Sequence, residues 1–301
     1  MAGSGLAVSS ASVSAGSDND AESSINEWLN FHIFGISGVG KTHLMGTASE
    51  CVTTSDVLVI DAEGGKATLL ANWRDRIDVV RINSYKQLNI VYEFMRAHCQ
   101  LRDRYYVALR AVDEEQVTKL RIQLLKYEAW LKNLEGGHEA FPVDYPPRLY
   151  RLLGVDTLSE LQKYLMYHLT GVDIDAIKLD AEYKIPQIQD WGKNIEGIRL
   201  LVRVLRDLPI HLMTISHDAV EKDALGAIKI MPNFSGKSLP NEICAMMDVV
   251  GYLTIEVLPD GKEQRSLIVQ PTGRYLAKSR FKKMGRVIIN PTVQKMMDSV
   301  V

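Results

Sequence analysis

The residues with the clearest chemical consequence lie near the N-terminus, where the apolar run Phe31-His32-Ile33-Phe34 leads into Gly35-Ile36-Ser37-Gly38-Val39-Gly40-Lys41-Thr42, a G-x-x-x-x-G-K-T pattern. Glycines at that spacing let the backbone curl so that successive N–H groups point at phosphate oxygens. Lys41 supplies a cation for the β/γ-phosphates, and the Thr42 hydroxyl can ligate Mg²⁺ at a helix N-terminus whose dipole favours anions. The expected cradle is Gly35, Ser37, Gly38, Val39, Gly40, Lys41, Thr42 and His43, and its expected ligands are ATP and Mg²⁺. At average glycine usage the bare pattern arises by chance in roughly one chain in a hundred of this length. A strand before it and a helix after it make an incidental glycine turn rarer still.

Such a cradle needs a carboxylate at the end of a neighbouring strand to hold the metal through water. Leu149-Tyr150-Arg151-Leu152-Leu153-Gly154-Val155-Asp156 is an apolar run ending in one, so Asp156 is the candidate partner of Thr42 at magnesium; Thr157 is free to cap the helix that follows. Asp61 is the rival, ending Val57-Leu58-Val59-Ile60-Asp61. Two residues on, in Asp61-Ala62-Glu63-Gly64-Gly65, Glu63 stands on a glycine-flexed strand end, where a carboxylate can orient an attacking water. On chemistry alone an exposed turn carboxylate is an equal reading of Glu63.

These residues require an α/β scaffold to converge. The 301 residues are 46% hydrophobic and 24% charged, with 35 Lys+Arg against 37 Asp+Glu. That composition is globular and excludes collagen-like, wholly disordered and coiled-coil chains. The net charge of -2 and pI near 6.4 exclude a uniformly basic protein but leave room for a local basic face. Three scattered cysteines, Cys51, Cys99 and Cys244, suit reduced thiols rather than disulfides or zinc. No stretch is apolar for the ~20 residues that a membrane span needs. Residues 1–27, rich in Ala, Gly, Ser and Asp, read as a floppy tail without the features of a secretory signal, so the expected location is a cytoplasm.

Strand-like and helix-like segments then alternate through 28–285, the rhythm of a mostly parallel twisted sheet flanked by helices. Residues 84–147 read as a helical insertion, with Leu120, Leu124, Leu125 and Leu131 at helical spacing, closed by Glu135-Gly136-Gly137 and a Pro142, Pro146, Pro147 loop. Helices are expected at 158–169 and 188–205, and a strand at 210–216. A turn-rich loop to Pro240 follows, and then a C-terminal β-hairpin, 249–257 and 266–269, around Pro259-Asp260-Gly261. Residues 286–301 read as a C-terminal tail.

Together these motifs resemble the RecA-like ATPases, and most closely the phage-encoded Sak-type single-strand annealing ATPases. The resemblance covers about residues 31–280. Ile60-Asp61-Ala62-Glu63-Gly64 is similar to a recombinase strand end whose glutamate is the catalytic base, which implies that role for Glu63. Ile210-His211-Leu212-Met213-Thr214-Ile215-Ser216-His217 resembles the family's sensor strand, which implies that His217 reads the γ-phosphate. Ala277-Lys278-Ser279-Arg280 is similar to the K-x-R element whose cations reach the nucleotide of the adjacent subunit. That implies a trans finger at Lys278 and Arg280, and a ring or filament with active sites at subunit interfaces. Arg274, Lys278, Arg280, Lys282, Lys283 and Arg286 crowd together, so a solvated basic tail or phosphate contact competes with the finger. Ser235-Gly236-Lys237-Ser238 is no second cradle, because Met231 stands where the leading glycine belongs.

The resemblance also implies two loops that hold single-stranded DNA. The stretch 170–192, with its neighbour Lys193, offers Lys178, Tyr183, Lys184, Trp191 and Lys193, set against Asp173, Asp175, Asp180, Glu182 and Asp190. Residues 218–240 offer Lys222, Lys229, Phe234 and Lys237 and are the better candidate. The leading expectation is a DNA-dependent ATPase acting on single strands in phage recombination or annealing, with a single-strand-binding or replication protein as a further partner. The alternative is a nucleotide-gated oligomeric module with slow turnover that loads or regulates such a partner. A small-molecule kinase ranks last, since Arg102, Arg104 and Arg110 are scattered on a helical pattern and form no lid.

Overall fold

The computed structural model describes residues 28–132, 147–172, 184–222 and 226–300. The chain opens with strand β1 (Asn30–Phe34), helix α1 (Lys41–Gly46), a 3-10 turn (Thr47–Glu50), β2 (Val57–Asp61), α2 (Lys66–Trp73) and β3 (Ile77–Arg81). Two long helices, α3 (Tyr85–Arg110) and α4 (Glu114–Lys132), precede β4 (Leu152–Asp156), α5 (Leu158–Thr170), α6 (Ile188–Arg206) and β5 (His211–Ser216). The last part holds β6 (Asp218–Lys222), β7 (Ile228–Pro232), α7 (Leu239–Met246), β8 (Val249–Val257), β9 (Glu263–Ile268), β10 (Lys278–Ser279), β11 (Val287–Ile289) and α8 (Val293–Asp298).

The main sheet runs β11-β9-β8-β1-β5-β4-β2-β3, with β10 also on β8. From β8 through β3 every pairing along this order is parallel, while β9, β10 and β11 are antiparallel additions at one edge. Strands β1, β2, β4 and β5 are buried at every residue, which is why they read as unbroken apolar runs: helices cover both faces of a parallel sheet. Alternate side chains serve alternate cores. Leu58 and Ile60 pack with Leu88 of α3, Leu161 of α5, Ile198 of α6 and Ile243 of α7; Val57 and Val59 pack with Met45 of α1, Leu69 of α2 and Met296 of α8. Gly154 lets α1 approach the sheet, since a Cβ there would lie 2.5 Å from Met45 Sδ.

The expected helical insertion is an α3–α4 hairpin. Ser84 caps α3 by accepting from Gln87 N, and Leu101, Ala108, Leu120 and Leu124 form a small core between the two helices. Arg102 ties α3 to the sheet: fully buried, it donates to the carbonyls of Tyr150 (2.7 Å) and Pro209 (2.5 Å). The Glu135-Gly136-Gly137 stop and Pro142 and Pro146 lie outside the described residues. Strand β4 starts at Leu152, three residues later than Leu149, because Arg148 and Leu149 are bonded instead to the Asp56 carboxylate.

Three segments differ from expectation. The stretch from 217 to Pro240 is not turn-rich throughout, since β6 and β7 pair in register from Asp218–Pro232 to Lys222–Ile228 and α7 begins at Leu239. Helix α2 occupies a link expected to be a turn. The segment from 286 is not a tail: β11 extends the sheet and Val293, Met296 and Val300 are buried. Elements of three to eight residues carry too few periods to show in a sequence, and tertiary burial defines them.

Candidate nucleotide site

The expected site residues are carried on turns at the carboxyl ends of parallel strands, where α/β sheets open a crevice. The register aligns them: Phe34, before the glycine loop, lies beside Ser216, before His217, and Asp61 lies beside Asp156. Ser37, Gly38, Gly40, Lys41, Thr42, His43, Glu63, Asp156 and His217 thus share one cleft of about 340 Å³, with Gly64, Gly65 and Thr68. Gly38 and Gly40 have φ of +78° and +102°, conformations that side-chain-bearing residues rarely adopt, so the loop's curl depends on glycine.

Lys41 is mostly buried, and its ammonium donates to the carbonyls of Gly35 and Ile36, both at 2.8 Å. Burial lowers its pKa, against the opposing pull of Glu63, Asp156 and Asp218, so anionic groups face this cation from several sides. Thr42 donates its hydroxyl to Asp156 Oδ2 at 2.6 Å. Gly65 stands close by; a Cβ there would sit 2.9 Å from the same oxygen. Asp156 is buried, and that burial pushes its carboxyl up from 3.8 to about 6.

The donor set of Thr42 hydroxyl and Asp156 carboxylate fits Mg²⁺, a hard cation usually held by one or two carboxylates with phosphate and water rather than by an all-protein cage. Among the described residues no cluster of three or more His, Cys, Asp or Glu forms such a cage. The sign of the Asp156 shift makes a prediction. The folded protein holds this proton more tightly than the unfolded chain, so Asp156 favours folding below about pH 4, loses that contribution between about pH 4 and 6, and leaves a buried charge that Thr42 and Lys41 offset only in part above. Asp156→Asn is therefore expected to raise the Tm of the ligand-free protein by several degrees at about pH 8, with little difference at about pH 4. Magnesium-dependent stabilisation by ATP should disappear, and thermal scans at the two pH values with and without Mg·ATP measure all three effects.

Asp61 is occupied elsewhere. Fully buried, it accepts from the backbone N–H of Glu63 (3.2 Å), Gly64 (2.7 Å) and Gly65 (2.9 Å) with Oδ1, and from Lys66 (2.9 Å) with Oδ2. It organises the turn that presents Glu63 and starts α2. His217 Nε2 lies 2.9 Å from Glu63 Oε1. His217 is itself anchored, its N–H donating to Ser159 Oγ on α5 and its carbonyl accepting from Asn233 beyond β7. Between β1 and β5, buried His32 bridges Thr214 Oγ1 (2.8 Å) and Ser216 Oγ (3.0 Å). Burial drives its pKa down to about 3, so the ring is neutral and joins β1 to β5.

Lys278 and Arg280 are not in this cleft. Lys278 pairs opposite Val250, toward the amino end of β8, whereas Phe34 pairs opposite Tyr252. The Lys278 ammonium donates to the carbonyls of Cys244 (3.3 Å), Ala245 (2.9 Å) and Met247 (2.7 Å), using all three donors at the end of α7. Arg280 Nη1 donates to buried Asp248 at 2.8 Å while its side chain stays 49% exposed.

The DNA candidates divide similarly. Lys222 and Lys229 are exposed on the β6–β7 hairpin, and Lys237 is exposed beyond it. Phe234 corrects the expectation of a stacking ring, because it is buried in the core with its centroid 6.0 Å from His32. In the earlier stretch Lys184 pairs with Asp190 at 3.7 Å, and Trp191 and Lys193 are exposed; Lys178 and Tyr183 lie outside the described residues. Sequence reading missed Arg265, whose Nε donates to the Val39 carbonyl at 3.2 Å from 226 positions away. No local pattern could have found it.

A glycine cradle after β1, a buried carboxylate on Thr42 and a mostly parallel sheet covered by helices define an α/β P-loop NTPase core. The AAA domain family matches residues 29–281, and the chain belongs to that family, which makes it a nucleotide-binding ATPase. No curated protein matches it. Among solved structures, the RadB recombinase is 14% identical over 87% of this chain and 86% of that one, with a TM-score of 0.36. A prototypical ATPase from the type III secretion system of pathogenic bacteria is 14% identical over 75% of this chain and 51% of that one, at 0.31. EscN, the assembled ATPase from the type III secretion system of enteropathogenic E. coli, is 16% identical over 76% of this chain and 43% of that one, at 0.32. No helix among the described residues is long and apolar enough to cross a membrane.

Proposed function

We propose that this protein hydrolyses Mg·ATP and couples that cycle to single-stranded DNA in recombination or annealing, as an oligomer whose sites are completed across subunits. The Glu63–His217 contact, Nε2 to Oε1 at 2.9 Å, carries the reading. It joins a carboxylate able to orient water to the first residue after β5, directly before the hairpin that bears Lys222 and Lys229. A change at the hairpin can thus alter the group nearest the reacting phosphate. The resemblance to phage Sak-type annealing ATPases supports the same assignment.

Lys41 leaves the Gly35 and Ile36 carbonyls for the β/γ-phosphates, and Thr42 and Asp156 hold the metal, which offsets phosphate charge when bound. Glu63 accepts a hydrogen bond from the attacking water and His217 holds the carboxylate in place. Arg280 is the candidate to complete a neighbour's site. It lies at the opposite end of a strand layer roughly 15 Å deep, out of reach of its own cleft. Lys278, with its donors committed to α7, positions it.

The test is steady-state ATP hydrolysis with and without single-stranded or duplex DNA, with Lys41→Ala as the blank. Turnover above the blank that rises with single strands is the expected result. Turnover indifferent to DNA overturns the coupling. ATP binding without turnover favours instead a nucleotide-gated module in which His217 keeps Glu63 occupied.

A further inference from the structure

We infer that Arg265 is a positioning residue of the phosphate cradle: it holds the Val39 carbonyl outward and so turns the Gly40 N–H toward bound phosphate. The inference rests on reading the cleft as a nucleotide site.

Arg265 belongs to β9, in the antiparallel edge of the sheet, and lies against the outside of the glycine loop. Its Nε donates to Val39 O at 3.2 Å, and a Cβ on Gly40 would sit only 3.0 Å from the same nitrogen. The Val39–Gly40 peptide is planar and trans, so the Val39 carbonyl and the Gly40 N–H point in opposite directions. A cation that fixes the carbonyl on the outer side therefore fixes the N–H on the inner side, where Gly40 lines the cleft. The neighbouring groups are held as well: the Val39 side chain is buried in the core, and Gly40 O accepts from Leu44 N at 2.9 Å in the first turn of α1. Gly40, at φ +102° and ψ 23°, has no side chain of its own to hold this peptide in one orientation. An external clamp supplies that restraint.

The clamp is itself braced. Arg265 N donates to Asn290 Oδ1 at 3.1 Å, and Asn290 N donates back to Arg265 O at 2.7 Å. Just beyond, Val293 N donates to Thr47 Oγ1 at 2.9 Å, directly after α1. The chain past residue 286 thus braces Arg265 through Asn290 and the end of α1 through Val293. The backbone bonds of Arg265 survive its substitution, which isolates the side chain as the variable.

The test measures binding of Mg·ATP and of magnesium tripolyphosphate, which lacks base and ribose, to the full chain and to Arg265→Ala, Arg265→Lys and Lys41→Ala. Loss of a hydrogen bond from a charged donor predicts about tenfold weaker binding of both ligands by Arg265→Ala. The ligand-free Tm should be unchanged, KM raised and kcat retained, and Arg265→Lys should recover part of the affinity because it keeps a cationic donor. If Arg265→Ala binds tripolyphosphate as the parent does while Lys41→Ala does not, the positioning role is overturned and the nucleotide site stands. A lowered Tm with no recovery in Arg265→Lys overturns it in favour of a merely structural contact. If Lys41→Ala also binds normally, the reading of the cleft fails.

Discussion

Lys41→Ala is expected to reduce ATP turnover by at least about 10²–10³-fold, the scale on which removing one preorganised donor to developing charge acts. The fold should survive. In the ligand-free protein the ammonium makes only two hydrogen bonds, to carbonyls of its own loop, while the packing of α1 rests on Leu44 and Met45. Burial works against the charge on Lys41, and the alanine variant removes that cost together with the cation. Circular dichroism and Tm should therefore match the parent protein while phosphate release falls to background. Undiminished turnover in a folded Lys41→Ala protein would remove the catalytic assignment of the whole cleft.

The second large effect concerns two residues far apart in one chain. Arg280→Ala is expected to lose about 10³–10⁵-fold in turnover, as when other NTPases lose an arginine finger. Glu63→Ala should fall by about 10²–10⁴-fold for want of an oriented water. Neither loss alone shows that the residues meet. Mixing the two inactive proteins does: a shared interface formed by Glu63 of one subunit and Arg280 of the next is intact wherever an Arg280→Ala protomer supplies the cleft and a Glu63→Ala protomer supplies the cation. Activity should return in the mixture, to about a quarter of the parent rate for random pairing of equal amounts, because one interface in four has both groups. Two variants that assemble normally and stay inactive when mixed would exclude the trans role. Arg280 must also leave Asp248, and its 49% exposure makes that exchange with a neighbour's phosphate feasible.

Much of the nucleotide site is legible in the sequence because its chemistry is local. The Gly35–Thr42 spacing, the apolar run into Asp156 and the glycine-flanked Glu63 each sit within a few residues, and strands buried on both faces announce themselves as unbroken apolar runs. The α3–α4 hairpin is legible for the same reason, since long helices repeat their period many times. The choice between Asp61 and Asp156 is not local. Both end apolar strands, and only folding shows that Asp61 spends both oxygens on backbone N–H groups while Asp156 faces Thr42. Phe234 looks available for stacking until the fold buries it beside His32.

The sequence by itself therefore determines the class of chemistry: a phosphate cradle on an α/β scaffold, both encoded at short range. Tertiary structure alone decides who stands beside whom. It pairs His217 with Glu63, sends Lys278 and Arg280 to the far end of the sheet, and brings Arg265 onto the glycine loop. The physical reason is that backbone curl and strand burial are set by neighbouring residues. A contact between distant residues exists only once the strand order of the sheet has been chosen, and the total packing of both cores makes that choice.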